Sequence, residues 1–134
     1  MKVIKKAAVA VFKDGKLLQV RSRKQEDVFF TLGGKIEKGE SEIECLKREV
    51  KEEIGCEVNE KSIKFLHEFE DIAHGKVEAL VNIKMYTGSL IGEPKPTSEI
   101  AEIGYFDSNS DKKHLSTIAK RLIFPWLKEH GYIN

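Results

Sequence analysis

The sequence of 134 residues predicts a single α+β domain. Short segments with the alternating or β-branched pattern of strands recur along the chain. Two further segments, residues 42–54 and 111–130, repeat apolar side chains at the spacing of three and four that favours helices. Because a chain of this length can bury one hydrophobic core, we expect residues 1–134 to fold as one domain.

The first third of the chain predicts three strands. Residues 3–12 are rich in Val, Ile and Ala and should form a central strand. The Asp14-Gly15 pair is a hairpin signal, so residues 17–21 should return antiparallel to it. A short strand over residues 28–32 then leads into a double glycine, which permits the positive φ angles and close backbone approach of a tight loop.

Residues 42–54 carry both the start and the stop signal of a helix. Ser41 followed three residues later by Glu44 is a capping box, in which each side chain accepts from a backbone N–H of the other residue. Gly55 stands where helices end in a left-handed residue. Four apolar residues form one stripe along this helix: Ile43, Leu46, Val50 and Ile54.

Three acidic side chains flank that stripe. Glu49, Glu52 and Glu53 fall within an arc of roughly 100°. Like charges at this spacing repel, and the last two lie near the negative end of the helix dipole. A solvated acidic face is the ordinary explanation of such a run. A bound cation explains the crowding better, because carboxylates are the ligands that hard divalent ions prefer.

The second half of the chain predicts a hairpin. Residues 61–70 and 77–86 should be antiparallel strands joined by a turn over residues 71–75. The turn contains His74, whose place beside Asp71 favours a structural role over a catalytic one.

A loop, a last strand and a helix should complete the domain. Residues 88–98 hold the glycine and proline signals of a loop, and residues 99–106 should pass from a turn or short helical piece into a strand. Pro125 interrupts the helical pattern of residues 111–130 and should kink or break that helix near residues 123–124.

Charge and cysteine content exclude several classes of protein. With 23 basic and 22 acidic residues the net charge is +1, so no strong field attracts nucleic acid or an anionic membrane. Cys45 and Cys56 are too few for a disulfide framework and favour a cytoplasmic setting. The apolar run over residues 7–12 is too short for a signal peptide, and no stretch can span a bilayer.

Residues 34–56 match a known motif. Its fixed positions are occupied by Gly34, Glu40, Arg48, Glu49, Glu52, Glu53 and Gly55. This is the Nudix box, G-x5-E-x7-R-E-U-x-E-E-x-G-U, where U is a bulky aliphatic residue. Only the last position departs from the motif, because this chain has Cys56 where Ile, Leu or Val is usual. Leu32 also stands where Pro usually precedes the double glycine. The chain therefore resembles the Nudix hydrolases, the MutT-like pyrophosphohydrolases of nucleoside diphosphate-linked compounds.

The resemblance implies a fold, a reaction and a cofactor. The fold would be an α/β/α sandwich, with a small mixed sheet between the box helix and a C-terminal helix. The reaction would be hydrolysis of a pyrophosphate bond in a nucleoside di- or triphosphate derivative, as in house-cleaning of the nucleotide pool. The cofactor would be Mg²⁺, with Mn²⁺ as a substitute, because Mg²⁺ is held by carboxylates together with substrate phosphates.

The resemblance also implies roles for residues of the motif. Glu49, Glu52 and Glu53 would be the principal metal ligands, and Glu40 a supporting one. Arg48 would orient the glutamates through charge-assisted hydrogen bonds, although a surface ion pair is the alternative.

The sequence leaves the general base and the contacts to substrate phosphate open. The general base is either Glu53 or a later acid, with Glu99 preferred to Glu102. Arg21, Arg23 and Lys35 are candidates for contacts to substrate phosphate. Their alternative role is to form solvated surface or, for Lys35, to brace the loop.

Two other functions compete with hydrolysis. One is a non-catalytic module that senses a nucleotide or metabolite, against which the intact glutamates argue. The other is RNA processing, which the near-neutral charge makes weaker. We expect a small-molecule nucleotide as the substrate, without nucleic acid or membrane partners. The apolar C-terminal segment around Trp126 is a possible homodimer contact. The substrate within this class is not readable from the sequence.

Overall fold

The computed structural model describes residues 2–24, 27–73 and 76–134 and shows an α+β fold. Within these ranges there are two α-helices, α1 (Glu42–Ile54) and α2 (Phe124–Glu129). The strands in chain order are β1 (Lys2–Ala10), β2 (Phe12–Lys13), β3 (Lys16–Ser22), β4 (Phe29–Thr31), β5 (Gly33–Lys35), β6 (Glu57–Val58), β7 (Lys64–Ala73), β8 (Lys76–Thr87), β9 (Leu90–Ile91) and β10 (Ile100–Phe106).

Two four-stranded arrangements form the centre of the molecule. The first sheet has the order β5-β1-β8-β7 and is mixed, because β1 runs parallel to β8 while the other pairs are antiparallel. In the second sheet β3 pairs with β10, β2 and β4. The backbone N–H of Val9 donates to the carbonyl of Leu32 at 2.8 Å and joins the two. The expected small mixed sheet is therefore confirmed.

Apolar side chains cover both faces of β1. Ala7 and Val9 pack in the cluster that contains Leu46 and Val50 of α1. Ala8 and Ala10, which point the other way along the strand, pack in a second cluster. That cluster is completed by the C-terminal residues Leu115, Ile118, Ile123, Phe124 and Leu127. The helices thus lie on opposite sides of the sheet, as in the predicted sandwich.

The predicted bounds and caps of α1 are confirmed. The Ser41 hydroxyl accepts from the N–H of Glu44 at 3.1 Å, and the Glu44 carboxylate accepts from the N–H of Ser41 at 2.9 Å. Gly55 follows with φ of 68°, a left-handed conformation that glycine adopts without strain. The Asp14-Gly15 hairpin is also present, with φ values of 53° and 72°.

The hairpin of β7 and β8 is shifted from its predicted position. Residues 60–62 form a 3₁₀ turn instead of strand, because Ser62 donates to the carbonyl of Asn59 and accepts from the N–H of Ser89. The turn predicted over residues 71–75 was wrong for its first three residues, which continue β7 and pair with β8. His74 and Gly75 lie outside the described residues.

The C-terminal helix is shorter than predicted and is not broken at Pro125. Its first turn begins only after Ser116, whose hydroxyl accepts from the N–H of Ala119 at 3.4 Å. Residues Ala119–Ile123 form a π-helical turn that runs into α2, and the N–H of Phe124 donates to the carbonyl of Ala119. Because a π turn is wider than an α turn, it accommodates the proline ring and the missing N–H without breaking the helix.

Other departures are small. The loop predicted from the double glycine contains β5, and the loop over residues 88–98 contains β9. Both cysteines are free, as their small number suggested, and both are buried. None of the helices in the described ranges has the length and apolar character needed to cross a membrane.

Candidate active site

The site is built where β5 meets α1. Gly33 and Gly34 pair with Ala8 and Ala7 of β1. A Cβ on Gly33, whose φ is 145°, would collide with the backbone of these two alanines. A Cβ on Gly34 would lie 2.5 Å from the carboxyl carbon of Glu49 and 2.7 and 2.8 Å from its oxygens. Gly34 therefore provides a recess that the Glu49 carboxylate fills.

Arg48 gathers three of the predicted acids. Its Nε and Nη2 donate to the two oxygens of Glu40 at 2.7 and 3.0 Å. Its Nη1 donates to Glu49 at 2.6 Å and to Glu52 at 3.3 Å. Its Nη2 also donates to the carbonyl of Lys35 at 3.2 Å, which ties the arginine to the end of β5. The side chain thus bridges the acids rather than forming one surface ion pair.

The acids around Arg48 are not equivalent. Hydrogen bonds from Arg48, followed by one from the N–H of Glu37, lower the pKa of Glu40 to about 2. The Glu49 side chain is only 17% exposed, and its burial raises the pKa of its carboxyl in spite of Arg48. The Glu52 side chain is 48% exposed. The three glutamates around Arg48 therefore have three different environments.

Glu53 is the most desolvated acid of the site. Its Oε1 accepts from the N–H of Gly33 at 3.1 Å. Burial, with a smaller contribution from the negative charge of Glu49, raises the pKa of Glu53 to about 9. In the absence of a cation this carboxyl is therefore protonated at neutral pH.

The loop predicted over residues 88–98 closes the end of α1, a contact that the sequence did not indicate. The N–H groups of Lys95 and Thr97 donate to the carbonyls of Ile54 and Glu53 at 3.0 and 3.2 Å, and the Thr97 hydroxyl donates to the carbonyl of Glu52. These bonds satisfy carbonyls that every helix leaves unpaired at its C-terminus. Glu99, an exposed residue, follows two positions after Thr97 and is therefore carried close to the end of the acidic helix.

The two predicted phosphate-binding arginines have partners within the protein. Arg23 donates through Nε to the carbonyl of Ser98 at 3.0 Å, and its N–H donates to the carbonyl of Glu99. Arg21 donates to Glu102 at 3.0 and 3.2 Å, because these residues are opposite each other in the β3–β10 pairing. Arg23 thus supports the Glu99 loop, and Arg21 and Glu102 form an ion pair.

A cavity of about 320 Å³ adjoins Glu53. Its apolar walls come from both sheets and include Ile4, Val20, Phe30, Val81, Ile83 and Ile100. Glu53, Lys35 and Lys6 are among its charged lining residues. A volume of this size is sufficient for a small organic ligand.

Two of these lining residues escaped the sequence reasoning, Lys6 and Phe30. A weak signal did exist for Lys6, since it is a charged residue among the alternating positions of an apolar strand, on the same face as Ile4 and Ala8. The sequence contains no signal for Phe30, because nothing in its short strand shows which face borders a cavity.

The protonated state of Glu53 predicts how the stability of the metal-free protein depends on pH. The folded-state pKa of about 9 exceeds the ordinary value of 4.5, so the stabilising contribution is complete below about pH 4.5. This contribution is lost progressively between about pH 4.5 and 9, by at most about 1.4 kcal/mol per pH unit. Thermal unfolding of metal-free protein between pH 5 and 9 should show this decline, and Glu53→Gln should flatten it. Parallel curves for the two proteins would contradict the burial of this carboxyl.

Comparisons with known proteins agree with one another. The family model described as "NUDIX domain" matches residues 4–127. A crystal structure of a proposed nudix hydrolase family member from Chromobacterium violaceum has a TM-score of 0.73 at 25% identity, covering 96% of this chain and 78% of that chain. The solution structure of the E. coli ORF135 protein has a TM-score of 0.74 at 21% identity, covering 97% and 94%. A MutT NUDIX hydrolase from Burkholderia pseudomallei has a TM-score of 0.66 at 19% identity, covering 79% and 84%. At identities of 21% and 19% the likeness concerns the fold.

Proposed function

Because this chain belongs to the NUDIX domain family, we propose that it is a pyrophosphohydrolase that cleaves a nucleoside di- or triphosphate derivative with the help of a divalent metal ion. One observation carries the proposal. Glu53 lines the cavity, and the charges of Glu49 and Glu52 act on its carboxyl, so a ligand in the cavity would contact Glu53 and lie near the other two acids. Acids in that position are suited to hold cations against the phosphates of a substrate.

The residues present fit a divalent ion. All the candidate ligands are carboxylates, the donors that Mg²⁺ and Mn²⁺ prefer. Because Gly34 has no Cβ, the Glu49 carboxylate can lie against the backbone there. Members of this family generally use divalent metals. We propose Mg²⁺ as the ion, with Mn²⁺ as a substitute.

Binding would require part of the ion-pair network to open. Among the described residues, no three Asp, Glu, His or Cys side chains already converge as a metal-binding group. Arg48 holds Glu40 through two nitrogens, but it reaches Glu49 and Glu52 through Nη1 alone. The contacts from Nη1 to Glu49 and Glu52 are therefore the ones that a bound metal ion would replace. Glu53 would lose its proton at the same time, because a metal ligand must be deprotonated.

We propose that each residue then has a distinct task. Glu49, Glu52 and Glu53 hold the cation, and Glu40 supports the group from the start of the helix. Arg48 keeps Glu40 fixed to the end of β5 and so positions the helix against the glycine loop. A bound divalent ion would neutralise phosphate charge and lower the pKa of the attacking water.

The hydrolysis itself needs a base. The water oxygen forms a new bond to phosphorus, the bridging P–O bond breaks, and the leaving phosphate departs with the electron pair. We assign the proton of the water to Glu99, because Glu53 is engaged as a ligand and the Glu99 loop is fixed to the end of α1 by Thr97. Glu102 is less suited, since it is paired with Arg21. If a Glu99→Gln variant had wild-type turnover, the base would be Glu53 instead.

A screen of nucleotide derivatives tests the proposal. Nucleoside triphosphates, nucleotide sugars, ADP-ribose and dinucleoside polyphosphates would be offered with Mg²⁺, with Mn²⁺ and with a chelator. We expect at least one to be hydrolysed at a pyrophosphate bond and the chelator to abolish the reaction. Saturable nucleotide binding without metal-dependent hydrolysis would instead support a sensing module.

A further inference from the structure

The loop between β9 and β10 ends in a tight turn that contains Glu99. The N–H of Ile100 donates to the carbonyl of Thr97 at 3.1 Å, which closes a turn with Ser98 and Glu99 at its centre. Ile100 is the first residue of β10, it is buried, and it lines the cavity. The turn of Glu99 therefore connects the wall of the cavity to the segment that is bonded to α1.

One side of this turn is bonded to the end of α1 through Thr97. The Thr97 hydroxyl donates to the carbonyl of Glu52 at 2.5 Å, and the Thr97 N–H donates to the carbonyl of Glu53 at 3.2 Å. The Thr97 carbonyl accepts from Ile100, so the hydroxyl and both backbone groups of this residue are used. Thr97 thus joins the turn of Glu99 to the main chain of two of the proposed metal ligands.

The other side of the turn is bonded to the end of β3 through Arg23. The Nε of Arg23 donates to the carbonyl of Ser98 at 3.0 Å, and its N–H donates to the carbonyl of Glu99 at 3.0 Å. Arg23 directly follows β3, whose last residue, Ser22, is opposite Ile100 in the pairing with β10. Both central carbonyls of the turn therefore have partners on a strand of the second sheet.

We propose that Thr97 and Arg23 are positioning residues that hold the turn of Glu99 in one place relative to α1, so that the base and the metal ligands form one rigid unit without a closing movement of the loop. This inference rests on the proposed function, in which Glu99 accepts the proton of the attacking water. A base must lie within hydrogen-bond reach of that water, and a displacement of about 1 Å can lower turnover by about 100-fold. Bonds on both sides of Glu99 supply this precision.

Each of the two residues has an alternative role. Arg23 would contact substrate phosphate, as the sequence also allowed, and its loss would then raise KM. Thr97 would only cap the end of α1, and its loss would then disturb the metal ligands and weaken the binding of Mn²⁺. A positioning role instead predicts a lower kcat at unchanged KM and unchanged Mn²⁺ affinity.

Four variants separate these roles. Thr97→Val removes only the hydroxyl bond to Glu52, because the N–H and the carbonyl of residue 97 remain. Thr97→Ser keeps a hydroxyl and should restore the bond. Arg23→Met removes the side-chain bond to Ser98 and keeps a long apolar side chain. Thr87→Val is the matched control, because Thr87 ends β8 and does not line the cavity.

The substrate for the measurements is the compound that the wild type hydrolyses fastest in the nucleotide screen, with Mg²⁺ present. We expect Thr97→Val and Arg23→Met to lower kcat by about tenfold or more, with KM unchanged. Thr97→Ser should recover most of this loss, and Thr87→Val should behave as the wild type. The affinity for Mn²⁺, followed by electron paramagnetic resonance, should be the same in all four variants.

A double-mutant cycle with Glu99→Gln gives the result that a merely structural role would not produce. In protein that already lacks the Glu99 carboxylate, Thr97→Val should lower kcat by less than about threefold further. Losses that multiply, a raised KM in Arg23→Met, or weaker Mn²⁺ binding in Thr97→Val would overturn the inference, as would wild-type turnover of Glu99→Gln. Wild-type protein that hydrolyses none of the screened compounds would instead contradict the proposed function, and the role of Glu99 with it.

Discussion

Replacing Glu53 by Gln should lower turnover by about 100-fold or more, because a lost metal ligand removes several kcal/mol of transition-state stabilisation. Gln retains an oxygen that accepts from the N–H of Gly33, so the fold should survive. The variant also cannot ionise, and it should therefore be more stable than the wild type at high pH in the absence of metal. Loss of activity together with a gain in stability is difficult to explain by misfolding.

The control for this experiment is Glu57→Gln. Glu57 lies four residues further on, its side chain is 68% exposed, and it forms a long ion pair with Lys51 at 3.7 Å. Exposed pairs of this kind contribute little to stability. Steady-state kinetics and thermal unfolding of both variants are the measurements. Turnover of Glu53→Gln within threefold of the wild type would remove Glu53 from the site.

Replacing Gly34 by Ala should reduce activity by a similar amount, although this residue carries no functional group. The new Cβ would occupy the position of the Glu49 carboxylate, at 2.5 Å from its carbon. The backbone at Gly34 is not left-handed, so alanine introduces no conformational strain there. Either Glu49 or the loop must move, and overpacking of this kind costs about 1–3 kcal/mol of stability.

A double-mutant cycle with Glu49→Ala shows whether the effect passes through Glu49. In a protein that already lacks this carboxylate, Gly34→Ala should cost little further activity and little stability. The kinetics and unfolding of the two single variants and the double variant are to be compared. Additive losses would mean that Gly34 acts through the loop itself, and the recess would then have no functional meaning.

The sequence predicted α1 well because its determinants are local. The capping box, the apolar stripe and Gly55 all lie within one short segment, and each depends only on neighbouring residues. The approach of Arg48 to Glu52 also follows from helical spacing, because these residues are four apart. Local signals of this kind need no knowledge of the rest of the fold.

The remaining parts of the site depend on contacts between distant segments. The docking of Thr97 on the end of α1 and the opposition of Lys6 to Lys35 are set by loop closure and strand register. The pairing of Arg21 with Glu102 likewise follows from the register of β3 against β10. No pattern within any one segment contains this information.

The C-terminal helix shows a third kind of difference. Pro125 is a reliable signal against a regular α-helix, and the sequence reasoning accordingly expected a kink or break. A π turn over Ala119–Ile123 was the alternative that the chain adopts. The apolar residues on both sides of the proline pack in the same core, and one widened turn keeps them on one continuous helix.

Metal binding tests the central claim most directly. Mn²⁺ would be titrated into metal-free protein at pH 7, with free Mn²⁺ followed by electron paramagnetic resonance and proton release measured by calorimetry in two buffers. We predict saturable binding that releases about one proton, because the pKa of Glu53 is about 9 in the metal-free state. Binding should weaken about tenfold or more in Glu49→Gln and Glu53→Gln, and the second variant should release no proton. Equal Mn²⁺ affinity of the wild type and both variants would show that these acids do not form a metal site.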